Sequence, residues 1–179
     1  SLRGSLSHLH PAALLGGLSL SCQHGDGRVT GLSWPWPDEL RFVIATPEVE
    51  LATDFARQVL SPEIPRADAI FNLQRALLLV RALDSGRYDL LREAPRDRWH
   101  QPARAKYVPG LAEALAIDHP SVFGAYLSGA GPSIAAIAAP GRHDEAAAQL
   151  GQLYGRLNLS ATVRTVSARP PVAFEPLSL

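Results

Sequence analysis

The chain has 179 residues, 46% apolar and 19% charged, which is enough apolar material for one domain with a core, or a domain and part of another, and argues against disorder. Lys plus Arg and Asp plus Glu number 17 each, so the net charge is zero and the basic excess of a general nucleic-acid binder is missing. A single cysteine, Cys22, excludes an internal disulfide framework and a multi-cysteine zinc site; it fits a reducing, cytoplasmic compartment, and no apolar run reaches the length of a membrane span.

Residues 1–12 read as irregular. Leu14 to Cys22 alternates Leu18, Leu20 and Cys22 and predicts a strand. The cluster His24-Gly25-Asp26-Gly27 predicts a turn, with Val29 to Leu32 as the returning strand. Trp34-Pro35-Trp36-Pro37 is a stiff connector, because proline restricts itself and the residue before it. Leu40 to Ala45 is a buried strand. Helices follow: 49–60, with Leu51, Phe55, Val59 and Leu60 on one face, then 66–84, with Ile70, Leu73, Leu77, Val80 and Leu83 at helical spacing, then 87–93. Pro95, Pro102 and Pro109 predict a broken stretch over 94–109. A helix over 110–117, a strand Val122 to Leu127, a second apolar strand Ile134 to Ala139, a helix over 142–156 and a strand over 160–167 complete the pattern, with an irregular tail from Arg169. Strands mixed with helices predict an α+β chain arranged as a two-layer sandwich.

The segment richest in chemistry is Ser128-Gly129-Ala130-Gly131-Pro132-Ser133, set between two apolar strands. Glycines let a backbone turn tightly and approach a ligand, and successive exposed N–H groups can hold an anion such as phosphate. A tight hairpin between two core strands is the plain alternative.

That string, in company with others, resembles the GHMP small-molecule kinases, and within them the homoserine kinase group. Ala13-Leu14-Leu15-Gly16-Gly17, Thr53-x-x-x-Arg57 followed by Val59-Leu60, Asp68-Ala69-Ile70-Phe71-Asn72, and Asp97-Arg98-Trp99-His100-Gln101-Pro102-Ala103-Arg104 followed by Pro109-Gly110 match family segments in order and spacing. The resemblance covers residues 11 to about 167. It implies the family's ferredoxin-like C-terminal domain over 47–179 and a remnant of an N-terminal domain over 1–46. It also implies phosphorylation of the L-homoserine hydroxyl by ATP with Mg²⁺, on the route to threonine, in a cytoplasmic homodimer. It places substrate binding on Arg57, Arg104 and Thr53, and the phosphate and nucleotide loop on Ser128, Gly129, Ala130, Gly131 and Ser133. It supplies no catalytic residue.

The chemistry agrees with those assignments. Homoserine is a small zwitterion carrying a hydroxyl. The planar fork of arginine binds a carboxylate through both oxygens. Thr53 lies one helical turn before Arg57 and can face the same site, or can be an ordinary helix threonine. Asn72 holds a loop or caps the long helix. His100 reads as a supporting residue, since phosphoryl transfer rests on positioning and charge stabilisation and needs no histidine base. His8 and His10 are too few for a metal site, so no metal ligands are assigned.

The sequence also departs from the family. No Pro-x-x-x-Gly-Leu-Gly-Ser-Ser-Ala loop occurs, and Gly4-Ser5-Leu6-Ser7-His8-Leu9 stands where Glu-Gly-His-x-Asp-Asn is found. The chain contains no methionine. The expectation is a C-terminal portion of a longer enzyme, with strands over 14–45 lacking sheet partners and exposing apolar surface, and with little or no activity alone. Two other functions stay open: a kinase for another carboxylate-bearing alcohol of the family, and a non-catalytic small-molecule binder or subunit.

Overall fold

A computed structural model describes residues 15–49 and 53–171. The chain forms two compact units, one made of the residues up to Asp38 together with those from Ser167 on, the other of Glu39–Val166.

In the first unit, β1 (Leu18–Gln23) and β2 (Val29–Trp34) form an antiparallel hairpin. The expected turn closes it: the amide of His24 donates to the carbonyl of Arg28 at 2.8 Å and that of Gly27 to His24 at 2.9 Å. The register pairs Leu18 with Trp34 and Leu20 with Leu32, so these apolar side chains share one face. Leu20, Leu32 and Trp34 are exposed on that face. The exposed apolar surface expected on residues 14–45 is therefore present on this hairpin. Gly16 and Gly17 precede it in the left-handed region. The amide of Gly17 reaches the carbonyl of Arg169 at 2.7 Å, and a Cβ on Gly16 would sit 2.3 Å from the carbonyl of Pro170, so only glycine fits.

In the second unit, four antiparallel strands pair in the order β4-β5-β3-β6, with β3 at Arg41–Pro47, β4 at Val122–Leu127, β5 at Ile134–Ala138 and β6 at Ala161–Val166. β3 is bonded along both edges, by β5 and by β6. It thus has its partners within Glu39–Val166 although it begins before residue 46, and the compact units divide at Asp38/Glu39.

Among the described residues, six helical segments connect the strands. They are α1 (Thr53–Gln58), α2 (Arg66–Asp84), a 3-10 turn (Tyr88–Arg92), α3 (His100–Ala105), α4 (Leu111–Leu115) and α5 (His143–Arg156). The mixed α+β organisation read from the sequence is the one observed. α2 starts after Pro65, whose carbonyl accepts the amides of Asp68 and Ala69, and it carries Asp68 in its first turn and Arg81 in its last, as the helix dipole favours. The expected helix 49–60 is shorter, Thr53–Gln58, and residues 50–52 lie outside the described set. The expected helix 87–93 is a 3-10 turn. The stretch 94–109 is less broken than its prolines suggest. α3 begins at His100, so Pro102 falls in the first turn, where its missing N–H costs nothing.

The core lies between the sheet and α5. Val43 and Ala45 of β3, Val122 and Leu127 of β4, and Ile134, Ala136 and Ala138 of β5 meet Ala146, Leu150, Leu153 and Tyr154 of α5 and Leu111 and Ala114 of α4. Each fully buried Leu or Ile there contributes ~1.5–3 kcal/mol. The 3-10 turn packs on β4. α2 behaves differently. Its periodic residues Ile70, Leu73, Leu77 and Val80 are exposed, and only Ala82 and Leu83 are buried. The apolar face that the spacing predicted is real, but within the described residues it faces solvent.

Candidate functional site

The Ser128–Ser133 loop joins β4 to β5 and is closed by its own backbone. The amide of Ser128 donates to the carbonyl of Ser133 at 2.9 Å, and that of Gly131 to the carbonyl of Ser128 at 3.1 Å. Gly129 and Gly131 have positive φ, +60° and +89°, and the Gly131–Pro132 bond is cis. The two glycines turn the chain at points where a side chain would be strained. The amides of Gly129 and Ala130 donate to no group among the described residues, which leaves two adjacent donors for an anion. Ser133 is held from the neighbouring strand, its Oγ lying 2.9 Å from Oγ1 of Thr46.

Arg104 sits beneath this loop. It is 7% exposed and uses its guanidinium on backbone: Nε donates to the carbonyl of Ala56 in α1 at 2.9 Å, and one Nη to the carbonyl of Gly129 at 3.2 Å. The other Nη has no partner among the described residues. Burial lowers the pKa of this guanidinium, and the negative charge of Asp97 pulls it back up. Arginine keeps its charge even so. Arg104 is therefore a fixed cation at the loop, linking it to the segment that carries two other expected binding residues. Those two, Thr53 and Arg57, belong to α1, but their side chains lie outside the described residues. The structure thus brings Arg104 to the loop and leaves the remaining pair open.

The segment before α3 is built around Asp97. Its Oδ1 accepts the side-chain amide of Asn72 at 2.8 Å and the backbone amide of Trp99 at 3.0 Å, and its Oδ2 accepts the amide of Gln101 at 2.5 Å. Oδ1 of Asn72 accepts in turn from the amide of Arg98 at 2.9 Å. Asn72 thus holds a loop, one of the two roles its position allowed, and fastens α2 to the start of α3. His100 lies 3.5 Å from Oδ1 of Asp97 through Nδ1 and stacks at a tilt against Trp99, 4.4 Å between ring centres. Both contacts belong to this scaffold, as a supporting role requires. Sequence reasoning assigns no role to Gln101, which is 6% exposed, accepts the amide of Leu127 at 2.9 Å and donates to the carbonyl of Pro95 at 2.9 Å. A signal is present: Gln101 and Arg104 are one helical turn apart on the buried face of a very short helix. Among the described residues no three His, Cys, Asp or Glu side chains come together around a metal position.

Residues 79–156 match the family GHMP kinases C terminal. Among curated proteins the chain is similar to the homoserine kinase of Aquifex aeolicus, 40% identical over 126 residues that make up 70% of this chain and 42% of that protein. It is 48% identical over 109 residues to that of Thermus thermophilus, covering 60% of this chain and 37% of that one, and 36% identical over 174 residues to that of Solibacter usitatus, covering 97% and 56%. The chain thus spans about half the length, or less, of the curated relatives it matches. Among solved structures, homoserine kinase from Cytophaga hutchinsonii superposes with a TM-score of 0.79 at 23% identity, over 89% of this chain and 51% of that one. That likeness is one of fold.

Proposed function

We propose, from the match of residues 79–156 to the C-terminal domain of the GHMP kinases and from the likeness to homoserine kinases, that this chain serves an ATP-dependent homoserine kinase, as part of a polypeptide that transfers a phosphoryl group to the hydroxyl of L-homoserine in threonine biosynthesis. The observation that carries the reading is the pairing of a buried arginine with a loop in which the amides of Gly129 and Ala130 donate to no group among the described residues. The chemistry asks for both: donors for phosphate oxygens and a fixed cation for an anionic substrate group.

Bound ATP would supply the phosphoryl group. The Gly129 and Ala130 amides would donate to its phosphate oxygens, and Gly129 and Gly131 place no side chain in the way. Ser128 and Ser133 frame the loop, and the second Nη of Arg104, which has no partner among the described residues, would bind the substrate carboxylate together with Arg57 and Thr53. Mg²⁺ accompanies the nucleotide in this reading. No three-ligand group for it exists among the described residues, so no step here runs through the ion. The protein works in the cytoplasm as a homodimer. This chain by itself turns over little or nothing, because the phosphate-wrapping loop typical of the family is not in its sequence.

The test is a coupled ADP-release assay with ATP, Mg²⁺ and L-homoserine on the purified chain and on the longest reading frame that contains it. The longer protein should turn over on the order of 1–100 s⁻¹ and the chain alone far less. A panel of other hydroxy acids separates homoserine from its alternatives. Calorimetric binding of homoserine without turnover by either protein would point to the binder instead.

A further inference from the structure

β4 is an edge strand: β5 covers one side and, among the described residues, no strand covers the other. At its end Leu127 is 7% exposed, so its outward amide is shut away from water and an unpaired N–H there would be costly. The side chain of Gln101 fills that place. Its Oε1 accepts the Leu127 amide at 2.9 Å, and its Nε2 donates to the carbonyl of Pro95 at 2.9 Å. A primary amide offers one acceptor and donors side by side, the same pattern that a peptide group of a neighbouring strand would present. Gln101 is itself fixed, since its backbone amide is bonded to Asp97, which Asn72 of α2 also holds. Three residues on, Arg104 grips the carbonyl of Gly129. One short helix therefore holds the chain at two points on either side of Ser128.

We propose that Gln101 is a positioning residue for the anion-binding loop: its side-chain amide stands in for the missing strand at the open edge of β4 and so sets the direction in which Ser128–Ser133 leaves the sheet. This rests on the phosphate-loop reading above and deepens it. The residue acts through the backbone at Leu127 and is steadied by its bond to the Pro95 carbonyl.

The experiment is residue-resolved amide hydrogen exchange on the full chain, with Gln101→Met, which keeps the shape and removes both bonds, and Gln101→Glu, which keeps an acceptor for Leu127. Exchange at the bonded amides of Leu127, Ser128 and Gly131 should quicken about tenfold or more in Gln101→Met, while Ile134–Ala138 stays as protected as before. In Gln101→Glu the Leu127 amide should recover most of its protection. Equal behaviour of the two variants, or loss of protection spread evenly over the sheet, would overturn the proposal. Should Gln101→Met not fold, the unmodified chain still decides: a Leu127 amide that exchanges as fast as those of residues 25–27 in the exposed turn carries no such bond. Failure of the phosphate reading shows elsewhere, as no change in Gly129 and Ala130 exchange on adding ATP or inorganic phosphate.

Discussion

Arg104 donates to the carbonyl of Gly129 at 3.2 Å while the same guanidinium holds the carbonyl of Ala56 at 2.9 Å. Two pieces of chain far apart in sequence are joined through one side chain. The fork geometry makes this feasible, because two donors of one plane serve two acceptors at once. Lysine has a single ammonium at the end of its stem and cannot reproduce the span. Arg104→Lys should lower stability by about 1–3 kcal/mol, the usual range for a buried carbonyl left without its donor. Urea unfolding followed by circular dichroism measures it, and an unchanged midpoint would mean that the bridge contributes nothing.

Glycine substitutions should separate conformational strain from close packing. Gly129 has φ +60° with nothing within 4 Å of the place a Cβ would take, so Gly129→Ala carries only the left-handed penalty of about 1–2 kcal/mol. Gly124 has ordinary φ, but its Cβ would stand 2.3 Å from the carbonyl of Leu91 and 3.0 Å from Pro95. Gly124→Ala must push the 3-10 turn off β4 and should cost more than Gly129→Ala. Thermal unfolding of the two variants side by side gives the order; the reverse order would contradict the packing of the turn on β4.

The sequence was most legible where one signal dominated. Arg66–Asp84 and Val122–Leu127 have the limits that periodicity and flanking residues indicated, because a long amphipathic run and a short apolar run bounded by turn residues leave little choice. Pro102 misled, since proline ends a helix in its interior and is harmless in a first turn, and the sequence does not say where the turn begins. The loop and Arg104 were legible as chemistry, from glycine spacing and from a resemblance carried by neighbouring residues. Their union was not. It depends on a contact between residues 25 apart, which no local pattern encodes. Gln101 went unassigned because a glutamine on a short helix reads as surface until the edge of β4 is seen beside it.

The exposed row on α2 yields a prediction about solution behaviour. Leu73 and Leu77 are 63% and 64% exposed, so replacing them removes little buried surface. Leu73→Glu with Leu77→Lys places an opposite pair at i, i+4 on that face. The double variant should match the original in stability within about 0.5 kcal/mol and should bind less of a hydrophobic dye such as ANS. A large drop in stability would show that this face is covered in the folded chain.

Tyrosine ionisation should limit stability in alkali. Burial pushes the hydroxyls of Tyr88, Tyr126 and Tyr154 up to about 12 from an ordinary value near 10. For Tyr88 the bond to Glu39, 2.7 Å long, adds to the effect. A raised pKa in the folded state means that the unfolded chain releases these protons first. The stabilisation is complete below about pH 10 and is lost as pH rises from 10 towards 12, by about 1–3 kcal/mol for each fully shielded hydroxyl. Tyr126 makes the cleanest test, since desolvation alone is its cause and no hydrogen bond of its hydroxyl is found among the described residues. Tyr126→Phe should leave the melting temperature at pH 7 nearly unchanged and make its decline between about pH 9.5 and 11.5 shallower. Tyr88→Phe should instead lower stability already at pH 7, because Glu39 loses its donor. Melting curves at half-unit pH steps distinguish the two, and parallel declines in Tyr126→Phe and the original chain would rule out a shielded Tyr126.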